Sequence, residues 1–255
     1  MKIFHLFFLI SLSAFLVYFV TKRGLGLGKD NVVFIAASES LILKKEISVP
    51  FTNWNSPYEF EPLVHFPPGY PALIAFFRTI LQTEDSLNTA RIISIILFPT
   101  TIFLLWYLIF SLTHSQNLST LSALFFMLNF ELIKNHFVAS ADQVFIPLFI
   151  LTLIFASKYI SKGKTEYIFL ASLFSSLSVL SRYAGIPFLA FVIFIPILKR
   201  KKQFFAALLP TFMVLLLFLR NYIVSGSIIN RPFSFHPPSL FELNIGLLAL
   251  SLRIL

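Results

Sequence analysis

The chain has 255 residues, 57% of them hydrophobic and 12% charged, with a mean hydropathy of +0.85 and 33 phenylalanines. A water-soluble domain carries about 25% charged residues, so this composition excludes an ordinary soluble globular protein. The net charge of +9 does not point to nucleic acid, because the cations fall in short clusters between apolar runs, and the absence of cysteine excludes disulfides and thiol chemistry.

In chain order, residues 3–20 form an apolar run followed by Thr21-Lys22-Arg23 with no small-residue cleavage site. That pattern predicts an uncleaved first span rather than a signal peptide. A long loop, 21–88, comes next. Within it, Val32, Val33, Ala36, Ala37, Ser40 and Leu41 recur near helical spacing and predict an amphipathic helix over 31–44. An aromatic stretch, Phe51 to Tyr58, suggests an ordered surface loop. The apolar segment 70–81 is short, contains Arg78 and opens on prolines, so it is expected to lie at the membrane interface.

Further apolar runs at 92–112, 118–133, 144–159, 167–180, 184–198 and 204–219 complete an all-α, polytopic transmembrane helical bundle of about seven spans. Cytoplasmic loops of membrane proteins are enriched in Lys and Arg. Placing the amino terminus in the cytoplasm puts Lys158, Lys162, Lys164 and the cluster Lys199 to Lys202 on that side. The loop 21–88 then faces outward. Residues 1–235 read as one module, and 236–255 as the start of a further, incomplete segment.

Ionisable residues at span ends are costly near hydrocarbon and therefore mark candidate sites. Four of them share the outer face: Asp30, Asp142, Arg182 and Arg220. Singly, the aspartates read as helix N-caps and the arginines as snorkelling anchors. Together they suit different work. Carboxylates deprotonate a hydroxyl or hold a divalent metal ion, for which Asp30 and Asp142 are the candidates. Arginines grip a phosphate through paired hydrogen bonds. The string His65-Phe66-Pro67-Pro68-Gly69-Tyr70-Pro71 predicts a rigid corner that launches the following helix at a set angle.

The order of these motifs carries a resemblance. Asp30 precedes Phe-Pro-Pro-Gly-Tyr-Pro, then come Ala90-Arg91-Ile-Ile-Ser94, Ser140-Ala-Asp142, Ser181-Arg182-Tyr183-Ala-Gly185 and Arg220-Asn221-Tyr222-Ile-Val-Ser-Gly226. The chain resembles the amino-terminal module of GT-C glycosyltransferases, especially bacterial relatives of dolichyl-phosphate-mannose-protein mannosyltransferases and of the aminoarabinose transferase of lipid A. That resemblance implies an inverting sugar transfer from a polyprenyl-phosphate donor to a lipid, glycan or protein acceptor, outside a bacterial cytoplasmic (inner) membrane. It implies Asp30 as base, Asp142 as its support, Arg182 and Arg220 as holders of the donor phosphate, and a substrate loop through His65, Pro67, Pro68, Gly69 and Tyr70. One departure is Phe34, where the family often has Tyr. Family members are usually longer, so the alternative is an inactive paralogue or a polyprenyl-lipid-binding partner. A transporter or flippase fits less well, since the span interiors are almost free of charge.

Overall fold

The computed structural model describes residues 2–50, 60–198 and 202–229. The aromatic stretch from Phe51 to Tyr58, most of the basic cluster at Lys199 to Lys202, and the segment 236–255 lie outside the described residues. Ten α-helices make up most of the described residues. They are α1 (Lys2–Val20), α2 (Lys29–Lys44), α3 (Gly69–Leu81), α4 (Ser86–Thr113), α5 (Gln116–Met127), α6 (Phe130–Phe137), α7 (Asp142–Lys162), α8 (Thr165–Ser181), α9 (Ile186–Leu198) and α10 (Phe204–Ser225).

Three helices, α4, α7 and α10, are long and apolar enough to cross a bilayer. Shorter apolar helices cover His5–Val20, Gly69–Leu81, Thr165–Ser181 and Tyr183–Leu198. The expected continuous run 118–133 is divided. Helix α5 ends at Met127, and the Asn129 side chain accepts from the Leu132 amide at 3.1 Å to start α6. Asn is a good N-cap, and here it outweighs the apolar pattern around it. The amphipathic helix predicted over 31–44 is α2, and the segment 70–81 is α3, with Tyr70, Pro71, Ile74 and Ala75 buried on one face.

The segment between α2 and α3 is not purely helical. β1 (Ser48–Val49) pairs antiparallel with β2 (Glu61–Pro62), Ser48 opposite Pro62. This short ladder fixes where the loop returns toward α3.

Helix α8 is the hub of the second half, packed against α7, α9 and α10. Ser172, Ser175, Ser176 and Ser178 are buried along it. Small side chains let helix backbones approach closely in a lipid environment, where packing rather than hydrophobicity drives association. In the first half, Leu9 and Val17 of α1 pack on Phe98, Ile102 and Trp106 of α4 and on Ala123 and Met127 of α5. A second cluster joins Phe34 of α2, Tyr70 and Ile74 of α3, and Ala90 and Ile93 of α4. Glu39 of α2 locks this corner by accepting from Arg78 of α3 and from the Ser86 amide of α4 at 3.1 Å, while Arg78 also donates to the Glu84 carbonyl at 2.9 Å.

Candidate functional site

Two aspartates separated by more than a hundred residues line one cavity, and main-chain pairing joins the segments that lead to them. Gly26 and Val138 form an isolated parallel bridge, with the Gly26 amide donating to Phe137 O at 2.9 Å and the Ala139 amide to Gly26 O at 3.4 Å. Asp30 stands four residues after one partner and Asp142 four after the other, so both chains enter their helices in register. A Cβ on Gly26 would sit 3.3 Å from the Phe137 and Val138 side chains, which leaves little room for any larger residue.

Neither carboxylate caps its helix, in contrast to the simplest sequence expectation. The residue preceding α2 is Gly28 and that preceding α7 is Ala141, and neither makes a side-chain cap bond. Asp30 and Asp142 lie instead in the first turns, where the partial positive charge of a helix start favours an anion. Asp30 is exposed and makes no ion pair among the described residues. Asp142 is held. Its carboxylate pairs with the Arg182 guanidinium, and Ser140 Oγ lies 3.5 Å from its other oxygen.

Arg182 follows the last turn of α8, its amide donating to Ser178 O at 2.8 Å. Its side chain is half exposed, and that of Asp142 is mostly buried. Two glycines set this position. A Cβ on Gly69 would fall 2.7 Å from the Leu180 carbonyl carbon, and one on Gly185 would fall 2.7 Å from the Val179 amide nitrogen. The Pro-Pro-Gly corner and the turn Tyr183–Gly185 can therefore both press on the end of α8 only because they lack side chains there.

These elements enclose a cavity of about 390 Å³ whose lining includes Asp30, Phe34, Pro67, Ser140, Asp142 and Arg182. Phe34 forms an aromatic wall, edge-on to Phe66 at 5.2 Å and to Tyr70 at 5.5 Å. Tyr70 itself is fully buried below, 3.4 Å from Gln143 Oε1. Gln143 in turn donates to the carbonyls of Asn135 and Val138 at 3.1 and 2.7 Å, fixing the bridge segment from beneath.

The predicted residues divide accordingly. Asp30, Asp142, Arg182 and Pro67 line the cavity; Pro68, Gly69 and Tyr70 build the corner behind it; His65 is half-buried on the same loop and does not line it. Arg220 is not brought to this cavity. It donates to Leu63 O at 2.6 Å, Ile47 O at 3.3 Å and Asn221 Oδ1 at 3.1 Å, bordering a separate depression with Lys45, Glu46 and Ser48. Sequence reasoning did not single out Tyr183 and Asn221, which join the two places. Asn221 Nδ2 donates to Tyr183 Oη at 2.9 Å, and Tyr183 Oη donates to Val64 O at 3.0 Å. Both stood inside motifs already noticed, next to the arginines that drew attention.

No three His, Cys, Asp or Glu side chains gather together among the described residues, and Asp142 is engaged by Arg182. Two carboxylates, one of them paired with an arginine, are the acidic side chains lining the cavity.

A bundle of apolar helices, three of them long enough to cross a bilayer, carries an acid–arginine cavity at the ends of several helices. Residues 65–223, more than half of the chain, match the family model of dolichyl-phosphate-mannose-protein mannosyltransferase, and the chain belongs to that family. No match was found among curated proteins or among solved structures. The matched stretch contains Asp142, Arg182 and Arg220. Asp30 lies before it and joins the site through the Gly26–Val138 bridge.

Proposed function

We propose that this chain is a membrane glycosyltransferase whose cavity transfers a sugar from a polyprenyl-phosphate donor to a hydroxyl acceptor at the extracytoplasmic face. One observation carries the reading: an unpaired carboxylate, Asp30, and an arginine, Arg182, share one cavity at the ends of three helices. Asp30 takes the proton of the acceptor hydroxyl as its oxygen attacks the anomeric carbon. The bond from that carbon to the phosphate oxygen breaks, and polyprenyl phosphate leaves with the electron pair. Arg182, beside the start of α7, meets the charge that grows on the phosphate. Asp142 aims Arg182 and stays deprotonated throughout.

The accompanying topology has about seven spans, a cytoplasmic amino terminus and an outward loop 21–88, in a bacterial inner membrane, with residues 1–235 as one module. The Lys-rich turn after α7, at the other end of that helix from Asp142, supports it. Arg220, which the sequence offered as a second phosphate holder, is assigned instead to securing the outer loop, because its guanidinium is committed to backbone carbonyls. The test is Asp30→Asn in reconstituted membranes supplied with a polyprenyl-phosphate sugar. Transfer should fall by about 10²- to 10⁴-fold, the usual contribution of a positioned base, with insertion intact. Parent-level transfer by this variant would remove Asp30 from the chemistry.

A further inference from the structure

Between the polar cavity and the Arg220 depression lies a buried polar node centred on the Tyr183 hydroxyl. Asn221, fully buried in the last turns of α10, sets its carboxamide among neighbours of two kinds. Arg220 Nη1 donates to Oδ1 at 3.1 Å, and the Ile228 carbonyl accepts from Nδ2 at 2.8 Å. A guanidinium only donates and a carbonyl only accepts, so these two neighbours fix which end of the carboxamide faces where. The second hydrogen of Nδ2 goes to Tyr183 Oη at 2.9 Å. The single hydroxyl hydrogen of Tyr183 is then directed onward to Val64 O at 3.0 Å. The order Asn221, Tyr183, Val64 therefore runs one way only.

Both Tyr183 and the segment through Val64 reach the cavity. Tyr183 lines it, directly after Arg182. Val64 is buried, and Phe66 and Pro67, two and three residues further on, line it too. The Tyr183 ring has its own seat, tilted against Phe218 of α10 with 6.4 Å between centroids. The hydroxyl is the part of the side chain that crosses to the segment before α3. The main-chain bonds that flank Arg182 are local: its amide donates to Ser178 O at 2.8 Å, and its carbonyl accepts from the Gly185 amide at 2.9 Å. Asp142 restrains the tip of the Arg182 side chain. The Tyr183 hydroxyl restrains its base.

We infer that Tyr183 is a positioning residue for sugar transfer. Its hydroxyl, oriented by Asn221, holds the turn that carries Arg182 at a set separation from the Phe66–Pro67 wall, and so keeps the guanidinium where the donor phosphate sits. This rests on the proposed transfer reaction and adds the means by which its arginine is aimed. Buried hydrogen bonds are costly to leave unmade, so the node resists any other spacing. A misplacement of about 1 Å can cost 10²-fold in rate, which makes such a restraint consequential.

The experiment is a double-mutant cycle on the full chain in nanodiscs. Tyr183→Phe keeps the ring and removes the hydroxyl. It should lower kcat/KM for a polyprenyl-phosphate sugar by about 10- to 100-fold, with insertion intact. Added to Arg182→Ala, it should cost no more than about twofold further, because a residue acting through another loses its effect when that other is gone. Asn221→Asp is the second variant, in case Tyr183→Phe misfolds. It keeps an acceptor for Arg220 but replaces the donor to Tyr183, so one hydroxyl hydrogen must serve two acceptors, and it should show the same loss and the same dependence on Arg182. Parent-level kcat/KM in both variants, or losses that multiply fully with that of Arg182→Ala, would overturn the inference. The cycle is repeated as binding of a tritiated isoprenyl monophosphate, which needs no turnover. Tyr183→Phe should weaken that binding several-fold only while Arg182 is present. If Arg182→Ala weakens binding and neither Tyr183→Phe nor Asn221→Asp does, the positioning role alone fails. If Arg182→Ala binds as the parent does, the transfer reading fails and takes this inference with it.

Discussion

Arg182 and Arg220 invite comparison, since one follows α8 and the other lies in the last turns of α10, and the sequence offers them the same role. Arg182 holds one carboxylate and keeps half its side chain in an open cavity. Arg220 spends its hydrogen bonds on the carbonyls of Leu63 and Ile47. A guanidinium that gives one nitrogen to a single carboxylate can turn its remaining N–H groups to a phosphate. One that bridges two main-chain carbonyls cannot leave without undoing that bridge, so it behaves as a fastener. The pair shows that residue type and membrane depth select candidates, and that the partners already engaged decide among them.

The sharpest way to break this contrast is activity. Arg182→Ala should lower sugar transfer by about 10²- to 10³-fold, the loss typical of removing a group that stabilises developing charge. Arg220→Ala should leave transfer per folded molecule near the parent level. Equal losses for the two variants would erase the distinction. The fastener is then sharpened by stability: Arg220→Ala removes its bonds to the Leu63 and Ile47 carbonyls, the second of which keeps the Leu63 amide, and should cost about 1–3 kcal/mol, read as a lower melting temperature in detergent. It should also speed proteolysis between α2 and α3.

The mounting of Arg182 can be tested through the corner that presses on α8. Gly69→Ala puts a methyl group against the Leu180 carbonyl and should destabilise by about 1–3 kcal/mol, as other overpacked contacts do. Its signature differs from that of Arg220→Ala, because transfer should fall as well when the end of α8 shifts. A Gly69→Ala protein with full activity and stability would show that the corner yields freely.

The smallest effect concerns pH at the α2–α3–α4 lock. Burial raises the Glu39 carboxyl, but its hydrogen bonds from Arg78 and Ser86 and the charge of Arg78 outweigh that, leaving it below the ordinary 4.5. A carboxyl lowered in the folded state contributes stability that is present above the ordinary value and is lost as pH falls through the folded one. The melting temperature should therefore decline modestly as pH drops below about 4.5, and Glu39→Gln should remove that component of the slope. An unchanged slope in the variant would relieve Glu39 of this role.

Much of the helical layout was legible because its signals are local. Apolar runs bounded by polar loops marked α1, α4, α7 and α10, and the spacing of Val32, Val33, Ala36 and Ala37 marked α2. Asn129 was the miss. One capping side chain divided a run whose hydrophobicity looked continuous, because pattern counts do not weigh a single good cap. The strand pair at Ser48 and Glu61 was equally invisible, since two residues on each side carry no period.

The sequence by itself determined the solvent of this protein and the membership of its polar set: with so few charges, Asp30, Asp142, Arg182 and Arg220 had to stand out at helix ends. Only the tertiary structure decided which of them meet. The Gly26–Val138 bridge joined the segments that lead to Asp30 and Asp142, the glycine contacts at Leu180 and Val179 seated Arg182, and the carbonyls of residues 47 and 63 claimed Arg220. Each outcome depends on main-chain groups distant along the chain, whose pairing leaves no trace in composition or periodicity.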